Sequence, residues 1–337
     1  MSTHPPGVAL PAKRTRRGPR AIAPALMALS LTALTLGSVA PVGAAGLRSL
    51  SLSDLTFISP KLGWLRVAPV NAQTGALYRT ADGGATWTLV SGHIGATSLV
   101  FRNKMDGEAL VPVAGSAGMC QADLTAVATT DGGVLWQSPA ATHIQDAVSV
   151  LAFHGARPFL LNGACATSFA TLMAPESGAK WGPVGEIGAN ATKNGFPAIV
   201  ALTPSGSFAT LVYLSGSASQ APTIRGFAYR VKGHAWHMVK IASTGLPGRV
   251  VAASFINGRD GTVATVNSAG TSVTLWLTQS GGQTWSKGLT VTGAGSQVGV
   301  DTVSRTVVYA TVSGGHAALF RTTDAGHRWT QLPRPPK

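Results

Sequence analysis

From about residue 50 onward, short apolar runs alternate with breaks rich in glycine, threonine and serine, and no stretch carries a helical period. Within the runs, apolar and polar residues tend to alternate at every second position, the pattern of half-buried strands. The alternation predicts strands at 55–59, 63–68, 75–80 and 86–90, then at 98–101 and 109–113. Further strands are expected at 148–153, 158–161, 198–203, 208–213, 250–255, 262–266, 297–302 and 306–312. The chain reads as all-β.

The breaks are periodic. Thr80-Ala81-Asp82-Gly83-Gly84-Ala85-Thr86-Trp87 recurs as Thr129-Thr130-Asp131-Gly132-Gly133-Val134-Leu135-Trp136. It returns as Thr278-Gln279-Ser280-Gly281-Gly282-Gln283-Thr284-Trp285 and as Thr322-Thr323-Asp324-Ala325-Gly326-His327-Arg328-Trp329. Between these lie two weaker copies, Glu176, Gly178 and Trp181, then Gly233 and Trp236. The six tryptophans stand 49, 45, 55, 49 and 44 residues apart. A repeat of that length holds four short strands, the content of one propeller blade. The expected fold is a six-bladed β-propeller with four antiparallel strands per blade. Seven blades is the alternative, the extra one falling between Trp181 and Trp236.

Each residue of the repeat has a physical reason. An aspartate in a tight turn accepts hydrogen bonds from nearby backbone N–H groups and fixes the turn. The glycine two positions later supplies a conformation that side chains disfavour. The indole then buries a large apolar face, expected against the neighbouring repeat.

The Thr-x-Asp-x-Gly-x-Thr-Trp pattern resembles the Asp box, or BNR repeat, of the sialidase-like superfamily, sortilin-type receptors and photosystem II assembly and stability factors. The likeness covers residues 46–337 and implies a propeller. In those families the box is a structural turn, usually far from the ligand site, so it does not name a substrate.

Composition adds the setting. The 337 residues are 45% hydrophobic and 11% charged, with 41 glycines, which supports a packed, turn-rich chain. Lys13, Arg14, Arg16, Arg17 and Arg20 precede an apolar run and then Val42-Gly43-Ala44-Ala45. This is the layout of a signal peptide at residues 1–45, cleaved after Ala45, with an uncleaved anchor as the alternative. Residues 46–337 are then a single exported domain, extracellular, periplasmic or associated with the envelope. Without the five leader cations, the net charge falls from +14 to +9, with no run or stripe of the kind that tracks nucleic acid. Cys120 and Cys165 both lie 16 residues before a repeat tryptophan, so they occupy equivalent loops. Outside the cytoplasm a disulfide between them is expected, two free thiols being the alternative.

Catalytic chemistry finds little support in the residues. A sialidase needs an arginine clamp, a tyrosine with a glutamate, and an aspartate. The family's Arg-Ile-Pro signature does not occur, and Arg66-Val67-Ala68-Pro69 is a poor substitute. With Asp82, Asp131, Asp324 and Glu176 assigned to turns, Asp54, Asp106, Glu108, Asp123, Asp146, Glu186, Asp260 and Asp301 remain. The histidines show no metal-ligand spacing. No catalytic residue, cofactor or metal is therefore assigned. The expected function is a non-catalytic scaffold for a protein partner, monomeric, with Arg102, Arg157, Arg249, Arg259 and Arg305 as candidates for its binding face. The alternative is a sialidase-like glycoside hydrolase, or a propeller that binds a glycan or an anionic envelope polymer.

Overall fold

Strands in this chain come in fours. In a computed structural model, residues 50–70, 72, 74–113, 123–138, 246–314 and 317–336 are described, together with the strands between 143 and 240. The first sheet is β1 (Leu50–Phe57), β2 (Gly63–Pro69), β3 (Gly75–Thr80) and β4 (Thr88–Ile94). The second is β5 (Ser98–Phe101), β6 (Gly107–Pro112), β7 (Leu124–Thr129) and β8 (His143–Ile144). The third is β9 (Val148–His154), β10 (Arg157–Gly163), β11 (Ala170–Pro175) and β12 (Trp181–Ile187). The fourth is β13 (Ile199–Leu202), β14 (Phe208–Ser215), β15 (Thr223–Lys232) and β16 (Ala235–Lys240). The fifth is β17 (Arg249–Phe255), β18 (Gly261–Val266), β19 (Ser272–Thr278) and β20 (Ser286–Thr292). The sixth is β21 (Ala294–Thr302), β22 (Val308–Gly314), β23 (Ala318–Thr322) and β24 (Thr330–Leu332). Each described sheet is an antiparallel meander in sequence order, and no helix occurs among the described residues.

Several strand ends differ from the alternation reading, among them those of β1, β4, β6, β21 and β22, and for two the pairing gives the reason. β1 begins at Leu50, because pairing with β2 runs back to Leu50 opposite Pro69. β22 begins at Val308, because Thr306 lies in the preceding turn, where its carbonyl accepts the Ala325 N–H at 3.0 Å.

Burial grades from inner to outer strands in the first, fifth and sixth sheets. The second strands β18 and β22 are buried along nearly their whole length, while the fourth strands β4 and β20 are mostly exposed. First strands of successive sheets pack side by side: β1 by β5, β5 by β9, β9 by β13, β13 by β17, β17 by β21, and β21 by β1. The cores lie in the seams between sheets. One holds Phe57, Leu65, Tyr78 and Trp87 of the first sheet with Tyr309, Leu319 and Leu332 of the last. Another holds Trp64 and Leu77 with Leu99, Phe101 and Ala109 of the second.

One aromatic arrangement repeats across these seams. Phe57, Phe101 and Phe255 end the first strands of their sheets, and each ring covers the glycine that opens the second strand: Gly63, Gly107 or Gly261. A Cβ at Gly63 would lie 2.4 Å from the Phe57 ring, and one at Gly261 would lie 2.1 Å from Phe255. The ring then meets the turn tryptophan of its own sheet edge-on, at 6.3 Å for Phe57–Trp87, 5.9 Å for Phe101–Trp136 and 6.4 Å for Phe255–Trp285. From the preceding sheet an aromatic ring stacks on the other face, Tyr309 on Phe57 at 3.6 Å and Trp64 on Phe101 at 3.7 Å. The turn tryptophans thus pack on their own sheet as well as on the neighbouring repeat.

Candidate functional site

The four described turns share one hydrogen-bonding scheme. Thr80, Thr129, Thr278 and Thr322 are buried, and each hydroxyl accepts the N–H of the second small residue after the acid, at 2.8 to 3.0 Å. The Thr80, Thr129 and Thr322 hydroxyls donate to Asp82, Asp131 and Asp324 at 2.8 Å. The acid in turn accepts the N–H two residues before its tryptophan or the one directly before it, as Asp82 does from Thr86 at 2.9 Å. These donors favour the ionised form. The Thr86 hydroxyl and N–H, then the Thr80 hydroxyl, hold the Asp82 carboxyl down to about 2, and Asp131 and Asp324 are lowered by the same kind of contact. In the fifth sheet Ser280 takes the acid's place and accepts the Thr284 N–H at 2.9 Å.

Both central positions of the turn are left-handed, with φ of 75° and 88° at Gly83 and Gly84. The first of them donates its N–H to the hairpin between the first two strands of its sheet, Gly83 to Lys61 O, Gly132 to Met105 O and Gly281 to Arg259 O, each at 2.8 Å. In the last sheet that place is taken by Ala325, at φ 59°. An alanine there is strained, so Ala325→Gly is expected to raise the unfolding free energy by about 1 kcal/mol, read as a higher midpoint in urea. An unchanged midpoint would show that the turn relaxes around the alanine.

The structure brings Asp82, Gly84 and Trp87 together, and likewise Asp131, Gly133 and Trp136, Gly282 and Trp285, and Asp324, Gly326 and Trp329. The Trp136 and Trp329 indoles donate to Gly133 O at 3.0 Å and Gly326 O at 3.2 Å, while the buried Trp87 Nε1 has no partner. Trp181 opens β12 and Trp236 lies in β16. Glu176, Gly178, Gly233, Cys120, Cys165, Asp146 and the leader lie outside the described residues.

Three of the other acids, Asp54, Asp106 and Asp260, are engaged by nearby residues. Asp54, at φ 51° in an irregularity of β1, accepts Arg66 Nε at 2.6 Å. Asp106 accepts from Arg102 and from Asn103, and Asp260 accepts from Asn257 at 3.0 Å. Asp301 on β21 accepts the Phe57 N–H across the seam between the last and first sheets, and burial pushes its carboxyl up to about 7. Burial also lifts Glu108 to about 7, against the opposing charge of Arg102. Tyr309 donates to Pro60 O at 2.8 Å and Tyr78 to Pro336 O at 2.7 Å, so both phenols fasten neighbouring segments. No three metal-ligating side chains converge among the described residues. Of the candidate arginines, Arg102 is bound to Asp106 and Arg305 to Gln279 at 2.6 Å. Arg249 opens β17, Arg259 sits at a hairpin tip, and Arg157 opens β10.

One surface feature stands apart. The two positions before each turn tryptophan are exposed in all four described turns: Ala85-Thr86, Val134-Leu135, Gln283-Thr284 and His327-Arg328. In the second sheet alone of these four both are large and apolar, with Val134 54% and Leu135 64% exposed. Met105, 41% exposed, joins them through the Gly132 N–H to Met105 O bond. Three of the four exposed large hydrophobics among the described residues thus sit on one hairpin and one turn, beside the exposed Lys104. The signal was present in the repeat alignment, since Val-Leu stands where the other full copies carry at least one polar residue.

No protein-family model matches the chain, and no curated protein is similar to it in sequence. Among solved structures it resembles Aleuria aurantia lectin in complex with Fucα1-6GlcNAc, at TM-score 0.58 and 12% identity over 84% of this chain and 95% of that one. It also resembles a putative 6-phosphogluconolactonase from Bacteroides uniformis, at TM-score 0.50 and 12% identity over 83% and 84% of the two chains. YCF48 bound to D1 peptide aligns at TM-score 0.45 and 17% identity over 85% and 83%. Identities this low speak to architecture alone. The antiparallel four-stranded meanders and the likeness to the first two of these structures make the chain a β-propeller.

Proposed function

We propose that the chain is an exported, six-bladed propeller of the Asp-box type that serves as a non-catalytic scaffold for a protein partner. The order of first strands, with β21 packed by β1, supports six blades. The Thr–Asp–Gly hydrogen bonds common to the full turns support the Asp-box reading. The observation that carries the function is the apolar group Met105, Val134 and Leu135. Exposed apolar side chains gathered at one place on a soluble domain are a feature of protein-binding surfaces. The acids Asp54, Asp82, Asp106, Asp131, Asp260 and Asp324 are all held by local donors, which favours binding over acid–base chemistry.

The test is a crosslinked pull-down from the native envelope and culture medium, comparing the parent with Val134→Ser/Leu135→Ser. Both positions are solvent-facing, so the variant is expected to melt like the parent. The expected result is a single stoichiometric polypeptide with the parent and at least a tenfold lower yield with the variant, from loss of ~1.4 kcal/mol or more of apolar burial. Equal yields would overturn this surface as the binding site.

A further inference from the structure

We infer that the groove between the fifth and sixth sheets is a binding site for a carboxylate carried on one apolar group. Its cavity of about 380 Å³ opens between the end of β20 and the strands β23 and β24. Val291, Ala318 and Phe320 line its apolar part, Gly293 its lip, and Gln331 and Arg334 its polar part. This size is near the lower end of small-ligand pockets, enough for one ring-sized group and a charged head. Val291 and Phe320 also pack against the buried cluster of Val273, Leu275, Ala310 and Val312, so the lining rests on a packed core. At Gly293 (φ 69°) a Cβ would meet nothing within 4 Å, which leaves that side open for entry.

Arg334 supplies the specificity. It is exposed and makes neither of the ion pairs found among the described residues. Its backbone is nevertheless held on both sides. Leu332 is buried in the seam with the first sheet, Pro335 is buried, and Tyr78 OH holds Pro336 O at 2.7 Å. Pro333, Pro335 and Pro336 further restrict the tail, so little backbone freedom is left to lose on binding. A guanidinium presents a planar donor fork that matches a carboxylate, and the Gln331 amide adds a neutral donor and acceptor. An apolar lining with one cation at its edge, carried on a constrained backbone, fits a hydrophobic acid better than a neutral or cationic ligand.

That chemistry is shared by a free hydrophobic acid and by a peptide's C-terminal residue. Calorimetry with the full chain separates them, using N-acetylphenylalanine, a short peptide ending in phenylalanine, and the C-terminal amide of each. At least one acid is expected to bind saturably, with its amide about tenfold weaker, the factor expected for one charge-assisted hydrogen bond. Arg334→Gln, a change at an exposed position, should remove the same factor while leaving the melting temperature in place. Binding of the peptide acid without the free acid would assign the site to chain termini, and the reverse to small acids. No saturation by either acid at millimolar concentration, amides as good as acids, or an unchanged affinity in Arg334→Gln would overturn the site.

Discussion

Replacing Phe57 with alanine is expected to lower the unfolding free energy by about 3–5 kcal/mol, the usual range for a buried phenylalanine whose space does not refill. The ring does three jobs at once. It covers Gly63, stacks on Tyr309 of the last sheet at 3.6 Å, and meets Trp87 edge-on. Alanine loses the aromatic contacts on both sides of the seam and leaves a void between the first and last sheets. Gly63→Ala should fail for the complementary reason, since its Cβ would fall 2.4 Å from that ring. The two changes are therefore coupled: in a Phe57→Ala background the added methyl has room, and Gly63→Ala should cost far less than in the parent. Urea unfolding of the four chains checks this. Additive losses would show that ring and glycine act independently.

The second large effect is a loss of stability as pH rises. Asp301 is surrounded by protein, although water reaches part of it, and its carboxyl titrates at about 7 instead of near 3.8. Burial is the cause, and the Phe57 N–H only partly offsets it. A carboxyl with a raised folded pKa binds its proton more tightly in the folded chain. Its contribution is complete below about pH 4 and is lost as pH climbs through 7. At ~1.4 kcal/mol per unit of displacement the loss reaches a few kcal/mol. Tyr309 faces it on β22; burial raises the phenol's pKa, Arg321 on β23 opposes that, and the nearby Asp301 adds to it. Glu108, also near 7, adds a slope of the same sign. Asp301→Asn keeps an acceptor for the Phe57 N–H and should remove part of the slope between pH 4 and 8, and a further Glu108→Gln should remove most of the rest. An unchanged slope in Asp301→Asn would show that Asp301 is not the group responsible.

Much of the fold is legible because it is local. The Thr–Asp–Gly turns bond within a few residues, so their chemistry can be read from eight consecutive letters, and period-2 runs located most strands. The near-continuous burial of β18 and β22 escapes an alternation reading, because second strands are covered on both faces. The Phe–Gly pairs stand at a regular spacing in 57/63, 101/107 and 255/261, yet glycine at a strand start reads locally as turn chemistry. Only the ring lying on it gives the reason. The fasteners Asp301 to Phe57 and Tyr309 to Pro60 join residues more than 240 apart, and nothing local announces them. Val134-Leu135 was visible as an apolar pair in a polar repeat, but its meaning needed the exposure of those two positions in each described turn.

The turn scheme also explains why the rim can vary without unfolding the sheet. Threonine, acid and glycine are bonded inward, while the two residues before the tryptophan face water and differ between turns, the backbone N–H there serving the acid whatever the side chain. A surface of this kind can acquire a binding function on one blade while the others keep neutral or charged tips.

A photo-crosslinking amino acid placed at position 135, with a second chain carrying it at the exposed Lys287 on β20, separates a docking surface at the Met105–Val134–Leu135 group from general adhesion. Position 135 is expected to capture one polypeptide from native envelope or medium in near-stoichiometric yield, and position 287 none. Capture at both positions alike, or none at 135, would contradict that surface.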